Sequence, residues 1–486
     1  MKLKELIRQV AVKKILGSAE AEINDITADS RNVKDGALFV AVRGFAGDGH
    51  DYIPQALAQG AAAIVCEELP EEAENPTCAY LVVENSRKAL ALLADSFYDH
   101  PSGKLTLVGI TGTNGKTTTV TLLYRLLSRM GYSCGLLSTI ANYVGDERME
   151  TENTTADPVT LNRLMARMVE KGCQYCFMEV SSIGVEQDRV TGLTFAAGIF
   201  SNLTHDHLDY HKTFAEYLRC KKLFFDQLPE QAIALINTDD KNARVMVQNT
   251  RAKVVTYSVR GMADHTARIL EQDVKGMLLK IDGKEIWTRL IGRHNAYNLL
   301  AAYSTAVSLG LDAEHALVIL SYLLSAPGRL DSLNGPRDLT VVIDYAHTPD
   351  ALENVLWTLR EVAPKRQLIC LFGCGGDRDP SKRPEMARVA EENADRIVIT
   401  SDNPRTEDPQ AIIDDIAAGL EPASFAKTLI IVDRREAIRT AILTAAEGAV
   451  ILLAGKGHEN YQIVGHEKHP FCELDIVHDI FRQIRL

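Results

Sequence analysis

"LTLVGITGTNGKTTTVTLL", residues 105–123, holds the pattern that decides the fold of this chain. An apolar run ending at Ile110 passes into a glycine-rich turn, and apolar residues then return at helical spacing. This order predicts a buried strand, a phosphate-binding loop and a helix. The strict loop pattern G-x-x-x-x-G-K-[ST] requires glycine where this chain has Ile110. We therefore assign Ile110 to the buried strand, with Gly109 one place before it.

The turn contains the residues that a phosphate site needs. Gly112 and Gly115 allow several backbone N–H groups to converge on an anion, and the helix starting near Lys116 adds its positive end. Lys116 can reach the β- and γ-phosphates of a nucleotide, and Thr117 or Thr118 can hold Mg²⁺. A generic glycine-rich turn is the alternative, but Gly-Lys-Thr-Thr after an apolar strand favours the phosphate site.

Length and composition restrict the class of protein. A chain of 486 residues predicts three domains, or two large ones, and 46% hydrophobic with 24% charged residues is typical of a globular protein. The net charge of −12 argues against a nucleic-acid partner. No apolar run is long enough for a bilayer and no signal peptide is evident, so we expect no membrane partner and a cytoplasmic location.

The nine cysteines are scattered and odd in number, which argues against a disulfide framework. Cys173 and Cys176 have C-x-x-C spacing, but a second ligand pair at zinc spacing is missing from the sequence. We interpret them as two small buried residues that enter a strand.

The rest of the chain alternates apolar runs with helical segments, which predicts an α/β protein with mostly parallel, doubly wound sheets. Linker composition at His100–Gly103 and at residues 325–338 separates three parts. We predict domains at residues 1–101, 102–328 and 329–486. Because ligands of open α/β sheets collect at the carboxyl ends of strands, the motifs after each apolar run are candidate substrate contacts.

Three features outside the loop have two interpretations each. Glu179, at the end of an apolar strand, could be a Mg²⁺ ligand or a helix cap. "NLTHDHLDYH", residues 202–211, could contact metal or phosphate or form a polar turn. Lys221 lies four residues from Tyr217 and from Phe225 on one helix face, and spacing alone favours a lysine that snorkels from an apolar stripe.

Taken in order, the motifs resemble those of the Mur ligases, the ATP-dependent amide-forming enzymes of bacterial cell-wall assembly. The resemblance covers essentially the whole chain. It rests on the following ten motifs: "TGTNGKTTT", "NTT", "MEVSS", "DHLDYH", "NAYNLLAA", "PGR", "DYAHTPDAL", "GCGGDRDPSKRP", "SDNPRTEDP" and "GKGHENYQ".

The resemblance implies a small N-terminal α/β domain that binds UDP, a central P-loop ATPase-like parallel sheet and a C-terminal Rossmann-like doubly wound domain for the amino acid. It further implies that ATP phosphorylates the D-glutamate side-chain carboxylate of UDP-N-acetylmuramoyl-L-alanyl-D-glutamate. The amino group of meso-2,6-diaminopimelate then attacks the acyl phosphate. Mg²⁺ is the expected cofactor and a monomer the expected state. A lysine-adding ligase, another Mur ligase, a folylpolyglutamate synthetase and a P-loop switch ATPase are the alternatives.

The family motifs also imply site residues. The catalytic residues would be Lys116, Lys221, Glu179 and His207, and the metal ligands Thr117, Glu179, His207 and Lys221 as a carbamate. ATP would contact Gly112, Thr113, Asn114, Gly115, Lys116, Thr117, Thr118, Asn295, Arg329 and Asp344. The UDP-muramoyl-peptide would contact Ala28, Ser30, Phe45, Ala46, Gly47, Asn153, Thr154, Thr155, Ser181, Gln187 and Arg189.

The amino-acid pocket is implied by "DNPR", which in this family accompanies meso-diaminopimelate. Its expected residues are Arg378, Asp402, Asn403, Pro404, Arg405, Gly455 and Glu459. Diaminopimelate has a distal carboxylate that lysine lacks, and the Arg405 guanidinium could grip it in bidentate fashion while Glu459 pairs with the distal ammonium. Asn-Pro is also ordinary turn chemistry, and the turn would present the arginine.

Overall fold

The computed structural model describes residues 1–44, 47–70, 73, 78–151, 153–204, 211 and 213–485. Backbone contacts divide the chain into two compact units. The first unit comprises Met1–Asp264 and Ala301–Ala313, and the second comprises His265–Leu300 and Glu314–Leu486.

The first unit begins with a mostly parallel sheet of short strands. Its strands β1 to β5 are Val12–Leu16, Asp25–Thr27, Ala37–Val40, Ala63–Cys66 and Ala79–Val83, of which β3, β4 and β5 are largely buried. They lie in the order β1-β5-β4-β3-β2, and only β1 runs antiparallel to its neighbour. The accompanying helices α1 to α3 are Leu3–Leu6, Ile53–Ala58 and Ser86–Phe97. One apolar cluster covers each face of this sheet.

The second sheet of this unit contains the strand of residues 105–110. Its strands β6 to β13 are Thr106–Thr111, Cys134–Leu137, Asn142–Val144, Glu147–Met149, Tyr175–Glu179, Ala197–Phe200, Ile233–Asn237 and Lys253–Ser258. They lie in the order β13-β12-β11-β6-β10-β7-β8-β9, and only the pairs β7–β8 and β8–β9 are antiparallel. Strands β11, β6 and β10 are neighbours, so their carboxyl ends meet at one edge.

The structure describes five helices between these strands, α4 to α8, at Lys116–Arg129, Pro158–Glu170, Ser182–Glu186, Phe214–Asp226 and Ala243–Met246. Three of them, α5, α6 and α7, begin with a capping side chain. Thr213 caps α7 by accepting a hydrogen bond from the Glu216 N–H, and Thr-x-x-Glu is the sequence of a capping box. Asp157 caps α5, whose first residue is Pro158.

The second unit contains an antiparallel meander and a doubly wound sheet. The meander strands β14 to β16 are His265–Asp273, Gly276–Ile281 and Lys284–Thr288. Helices α9 and α10 follow at Arg293–Ser308 and Ala313–Tyr322, and residues Ala301–Ala313 of this stretch belong to the first unit. Strands β17 to β22 are Asp331–Asn334, Thr340–Asp344, Leu368–Phe372, Arg396–Ile399, Thr428–Ile430 and Val450–Ala454. Their order is β17-β18-β22-β19-β20-β21, and only β17 is antiparallel.

Helices α11 to α14 connect these strands at Pro349–Val362, Lys382–Asn393, Pro409–Ala417 and Arg434–Thr444. A hairpin of β23, Tyr461–Val464, and β24, Glu467–Pro470, follows the sheet, and α15 spans Glu473–Arg485. Two apolar clusters pack on the sheet.

The predicted fold class, α/β with largely parallel sheets, is confirmed. All nine cysteines are free thiols, as predicted. Cys173 and Cys176 are buried at the entry to β10, and burial raises the pKa of the Cys176 thiol far above its usual range. Among the helices that the structure describes, none has the length and apolar character to cross a membrane.

Candidate active site

The phosphate loop lies where β6 ends and α4 begins. Gly112 has φ +150°, and a Cβ at this position would lie 2.0 Å from the Ser201 Oγ and 2.9 Å from the Asn202 carbonyl oxygen. Gly115 has φ +88° immediately before α4. Both positions therefore need glycine, the first because of close approach and the second because of its left-handed backbone.

Two lysines converge on this loop. The Lys116 Nζ donates to the carbonyl oxygens of Gly112 and Thr113, both at 2.9 Å. The Lys221 Nζ from α7 donates to the same Gly112 oxygen at 2.8 Å and lies 4.5 Å from the centre of the Tyr217 ring. The Tyr217 hydroxyl contacts the Thr113 Oγ1 at 3.1 Å. The loop is therefore the centre of a compact cationic site.

Lys221 contradicts the interpretation drawn from spacing alone. Its residue is 1% exposed, so the side chain turns inward to the loop and does not snorkel to solvent. The apolar stripe is real, since Tyr217 and Phe225 are both buried. Burying an ammonium is costly, which marks this lysine as part of the site.

Glu179 and Thr117 form a buried oxygen pair beside the loop. The Thr117 hydroxyl donates to the Glu179 Oε2 at 3.0 Å, and the Thr139 N–H donates to Oε1 at 2.8 Å. Glu179 is 1% exposed, and its carboxylate bonds a loop amide, whereas Ser181 caps the nearby α6. A hydroxyl and a carboxylate are oxygen donors that suit Mg²⁺.

The histidine-rich segment lies mostly outside the described residues, and so does the predicted ligand His207. His211 is described, buried, and in contact with the Ser182 hydroxyl through its Nε2 at 2.8 Å. In the described part of the chain no cluster of three or more His, Cys, Asp or Glu side chains forms a metal site. The pair at Glu179 therefore fits Mg²⁺ as two ligands of a larger set.

Ser201 and Asn202 also contact the phosphate loop, which the sequence did not predict. The Ser201 hydroxyl donates to the Asn114 carbonyl oxygen at 2.7 Å, and the Asn114 N–H donates to the Asn202 Oδ1 at 3.0 Å. Both residues follow β11, the neighbour of β6. Their position at a strand end was visible in the sequence, but the adjacency of the two strands was not.

The residues expected to hold the muramoyl peptide lie mostly in one hydrogen-bonded group. The Arg189 Nη1 donates to the Thr155 carbonyl oxygen at 2.6 Å, and Nη2 donates to the Gln187 Oε1 at 2.7 Å. The Thr155 hydroxyl donates to the Glu179 carbonyl oxygen at 2.9 Å and accepts from the Ser181 N–H at 3.0 Å. This group is therefore tied directly to β10 and its carboxylate.

Two more of these residues lie close by. The Thr139 hydroxyl donates to the Thr154 Oγ1 at 3.0 Å, and the exposed Asn153 accepts through its carbonyl oxygen from the Thr151 hydroxyl, also at 3.0 Å.

The residues expected to hold UDP belong to the first sheet. Ser30 is buried and its hydroxyl donates to the Gln55 Oε1 at 3.0 Å, and Ala28 packs against an apolar cluster. The Gly47 carbonyl oxygen accepts from the Gly44 N–H at 2.8 Å. Phe45 and Ala46 lie outside the described residues.

Three residues expected to contact ATP belong to the second unit. Asn295 is buried near the start of α9, where its Nδ2 donates to the Ile291 carbonyl oxygen at 2.9 Å. Asp344 ends β18 and accepts from the N–H groups of Leu330 and Ala346, both at 2.8 Å. Burial raises the pKa of Asp344, against the opposing charge of Arg329 and these two hydrogen bonds.

The amino-acid motif of the second unit forms a turn at the carboxyl end of β20. We call residues Asp402–Arg405 the specificity turn. Arg405 has a left-handed backbone with φ +51°, and its Nη1 donates to the Gly376 carbonyl oxygen at 2.7 Å. A Cβ at Gly376 would lie 1.9 Å from the Pro404 carbonyl oxygen. The glycine-rich loop after β19 therefore packs directly on the turn.

Side chains around the turn form a polar network. The Asn403 Nδ2 donates to the Glu459 Oε2 at 2.9 Å, and the Lys456 Nζ donates to the Asn403 Oδ1 at 2.9 Å. Gly455 has φ +112°, and a Cβ there would lie 2.7 Å from the Asp402 Oδ2. Arg378 is exposed on the glycine-rich loop. Six of the seven residues expected in this pocket therefore meet at one sheet edge, with Arg378 on the loop beside them.

A buried ion pair lies beneath the turn. The Arg434 Nε donates to the Glu473 Oε1 at 2.8 Å, and the two side chains are 0% and 1% exposed. The Arg434 Nη2 donates to the Ala454 carbonyl oxygen at 2.8 Å, and Nη1 lies 3.8 Å from the Asp402 Oδ2. Sequence reasoning missed this pair, because an arginine and a glutamate at two helix starts are typical of surface positions.

Comparison with known proteins gives matches over almost the whole chain. Residues 22–98 match the profile described as Mur ligase family, catalytic domain. Residues 110–306 match the Mur ligase middle domain, and residues 328–457 match the Mur ligase, glutamate ligase domain. The three matches follow one another in the order that the resemblance implies.

A relative and two solved structures extend this result. UDP-N-acetylmuramoyl-L-alanyl-D-glutamate--2,6-diaminopimelate ligase of Bacteroides fragilis is 52% identical over 483 residues, covering 99% of each chain. A solved structure with the same protein name aligns with TM-score 0.73 and 30% identity over 100% of this chain and 99% of the other.

The MurF ligase of Thermotoga maritima in complex with ADP aligns with TM-score 0.62 over 95% of this chain and 97% of the other. At 19% identity that likeness shows the fold alone. The three profile matches and the identity to the Bacteroides fragilis enzyme over nearly the full length give the same assignment, and the chain belongs to the Mur ligase family.

Proposed function

We propose that this Mur ligase joins the D-glutamate side-chain carboxylate of UDP-N-acetylmuramoyl-L-alanyl-D-glutamate to an amino group of meso-2,6-diaminopimelate. ATP is converted to ADP and phosphate, and the product is an amide. Relatives that carry this activity in their names, aligned over nearly the full chain, support the proposal. The structural observation that carries it is the specificity turn, which holds Arg405 beside a glycine-rich loop at a strand-end edge.

The first unit supplies the activation step. The loop N–H groups and Lys116 hold the β- and γ-phosphates, and Lys116 neutralises charge as the γ-phosphoryl group moves to the substrate carboxylate. Phosphoryl transfer depends mainly on positioning and charge neutralisation, and the Lys116 ammonium at the Gly112 carbonyl oxygen supports this role. The Thr155–Arg189 group lies next to Glu179 and holds the muramoyl peptide with its carboxylate facing the loop.

Mg²⁺ is the cofactor that these residues would hold. Thr117 and Glu179 would supply oxygen ligands to one ion, and His207 and a carbamate of Lys221 would supply ligands to a second. When bound, Mg²⁺ neutralises phosphate charge and aligns the phosphate oxygens. The buried Thr117–Glu179 pair supports the first ligand set.

The second unit supplies the amino acid. The Arg405 guanidinium pairs with the distal carboxylate of diaminopimelate, Glu459 pairs with its distal ammonium, and Arg378 and Gly455 complete the pocket. The amino group at the opposite end of diaminopimelate, as the free base, attacks the carbonyl carbon of the acyl phosphate. The amide bond forms and phosphate leaves. Asn295, Arg329 and Asp344 are assigned to ATP, and Ala28, Ser30, Phe45, Ala46 and Gly47 to the UDP group.

An amino-acid panel tests the function. Phosphate release and tripeptide formation should require both the UDP-dipeptide and meso-diaminopimelate, with L-lysine and L-ornithine poor replacements because they lack the distal carboxylate. Arg405→Ala should raise the KM for diaminopimelate on the order of a hundredfold while the KM for ATP stays near the wild-type value. Equal use of lysine and diaminopimelate would contradict the assignment.

The same assay separates a ligase from a P-loop switch ATPase. A switch ATPase would release phosphate without either acceptor substrate. A ligase that accepts lysine in place of diaminopimelate would show the lysine-adding alternative to be right.

A further inference from the structure

Two residues after β22 donate hydrogen bonds to the specificity turn, although neither has a role in the proposed substrate contacts. We consider Lys456, which follows the end of β22, and Gln462, which lies in β23. Neither is among the residues assigned above to diaminopimelate. Each donates a hydrogen bond to the turn.

The orientation of the Asn403 amide follows from its neighbours. Its Oδ1 accepts from the Lys456 Nζ at 2.9 Å and from the Ile463 N–H at 3.0 Å. An ammonium and a backbone N–H can only donate, so the oxygen of the amide has to face them. The Nδ2 group is thereby directed to the Glu459 Oε2 at 2.9 Å.

Lys456 also holds Glu459 directly. Its Nζ lies 3.4 Å from the Glu459 Oε2 and 3.8 Å from the Asp402 Oδ1. In the described part of the chain both hydrogen bonds accepted by the Glu459 carboxylate use Oε2. The Lys456 side chain is 0% exposed, so it cannot touch a solvent-borne amino acid and acts only through Asn403, Asp402 and Glu459.

Strand β23 fixes the backbone of the turn. The Gln462 Nε2 donates to the Asp402 carbonyl oxygen at 2.6 Å. The Arg405 N–H donates to the Ile463 carbonyl oxygen at 3.1 Å, and the Gly465 N–H donates to the Arg405 carbonyl oxygen at 2.7 Å. These bonds satisfy both backbone groups of a residue whose left-handed conformation is unfavourable for arginine.

The geometry points to Lys456 and Gln462 as positioning residues that set amino-acid specificity through Asn403, Glu459 and Arg405. This inference rests on the proposed diaminopimelate-adding function. Lys456 fixes the orientation of the Asn403 amide and of the Glu459 carboxylate toward the bound amino acid. Gln462 fixes the start of the turn from which the Arg405 guanidinium projects.

Two near-isosteric variants test the inference. Gln462→Met and Lys456→Met remove the donors with little change in side-chain volume. We expect each to raise the KM for meso-diaminopimelate about tenfold or more, with the KM values for ATP and the UDP-dipeptide within about twofold of wild type. The preference for meso-diaminopimelate over L-lysine, as the ratio of kcat/KM values, should fall by about tenfold.

Gln367→Met is the matched control. Gln367 is half-buried like Gln462, and its Oε1 accepts one backbone hydrogen bond, from Ala446 at 3.0 Å, at the opposite end of β19. It should leave all three KM values and the selectivity unchanged. The thermal unfolding midpoints of Gln367→Met and Gln462→Met should be measured together. Equal midpoints show that a change in KM does not come from a general loss of stability.

The outcomes separate this inference from the function on which it rests. A wild-type enzyme that does not use meso-diaminopimelate overturns the proposed function. A wild-type enzyme that uses it, with Gln462→Met indistinguishable from the control, overturns only the positioning roles. If Lys456→Met proves insoluble, because the site is buried, Gln462→Met alone decides.

Discussion

At the scale of single residues, Lys221 differs in its burial from an ordinary lysine on a helix surface. The sequence placed Lys221 on an apolar helix face, where the common lysine keeps its ammonium in solvent. In the folded chain its ammonium reaches the Gly112 carbonyl oxygen, and the residue is 1% exposed. Spacing along a helix specifies the face on which a residue lies. It does not specify whether a long side chain ends in solvent or in the interior, so the burial of the Lys221 ammonium had to be read from the structure.

Lys221→Ala should abolish most of the phosphate release that depends on both acceptor substrates. If the lysine acts as a carbamate, a short carboxylic acid such as acetate or formate should restore part of the activity by supplying the missing anion. Lys222→Ala is the matched control, because Lys222 is adjacent on α7 and pairs with Asp226 at 2.6 Å away from the loop. Normal turnover of Lys221→Ala would show that the loop does not need this side chain.

Several site residues were predictable because the chemistry was visible in the residue type and its place at a strand end. Glu179 is the last residue of β10, Asn403 lies in the turn after β20, and Thr117 is the second residue of α4, after the loop that follows β6. Lys456 and Arg434 were not predictable as neighbours of Asp402. Both side chains are completely buried beside it, and a sequence gives no distance between residues that lie on different strands and helices.

At the scale of secondary structure elements, the phosphate loop depends on the strand that precedes it. Gly109 in β6 is needed for packing: a Cβ there would lie 2.7 Å from the Phe195 ring, 2.8 Å from the Phe224 ring and 3.0 Å from Val180. Helix α7, which presents Lys221, also supplies Phe224. A glycine in this strand therefore allows the helix to approach closely enough for the lysine to reach the loop.

Gly109→Ala should lower the free energy of opening of the β6 region by about 1–3 kcal/mol, because the added methyl group overpacks the contact with α7. Hydrogen exchange of the β6 amides is the suitable measurement. Both tryptophans, Trp287 and Trp357, belong to the second unit, so their fluorescence would follow a different part of the chain.

Gly103→Ala is the control for this measurement. Nothing lies within 4 Å of a Cβ at Gly103, and the methyl group should therefore leave the opening free energy of β6 unchanged. Equal hydrogen-exchange protection of the β6 amides in Gly109→Ala and Gly103→Ala would contradict the prediction. It would show that α7 accommodates the added methyl group without loss of stability.

Elements with long apolar runs were predictable, and short exposed strands were not. The runs at β10, β11, β19 and β22 are buried along almost their full length, so their composition alone indicates strands. The hairpin strand β24 is exposed at every residue, and its sequence Glu-Lys-His-Pro lacks any apolar alternation. Its structure comes from pairing with β23, which no local pattern reveals.

At the scale of the whole molecule, function depends on the order of strands within each sheet. The sequence predicted that polar motifs follow the strands, but not that β11, β6 and β10 are neighbours or that β22 lies between β18 and β19. Strand order is fixed by packing between segments far apart in the chain. The domain limits at 101 and 328 stay predictions.

The net charge of −12 opposes self-association through general repulsion, and we predict a monomer. Light scattering during gel filtration should give a mass near 53.5 kDa at low protein concentration. A mass near twice that value, independent of concentration, would contradict the prediction. The matched control is the same run at about 1 M salt, where screening removes most of the repulsion.

The left-handed backbone of Arg405 also affects how the enzyme can be redesigned. Glycine and asparagine tolerate φ +51° better than arginine, by roughly 1 kcal/mol or more. A library at position 405 that is selected for thermostability or expression alone would therefore drift away from arginine, toward residues that tolerate this backbone conformation better. Under the role proposed for Arg405, such a selection also needs diaminopimelate, because backbone preference and substrate choice then favour different amino acids at this position.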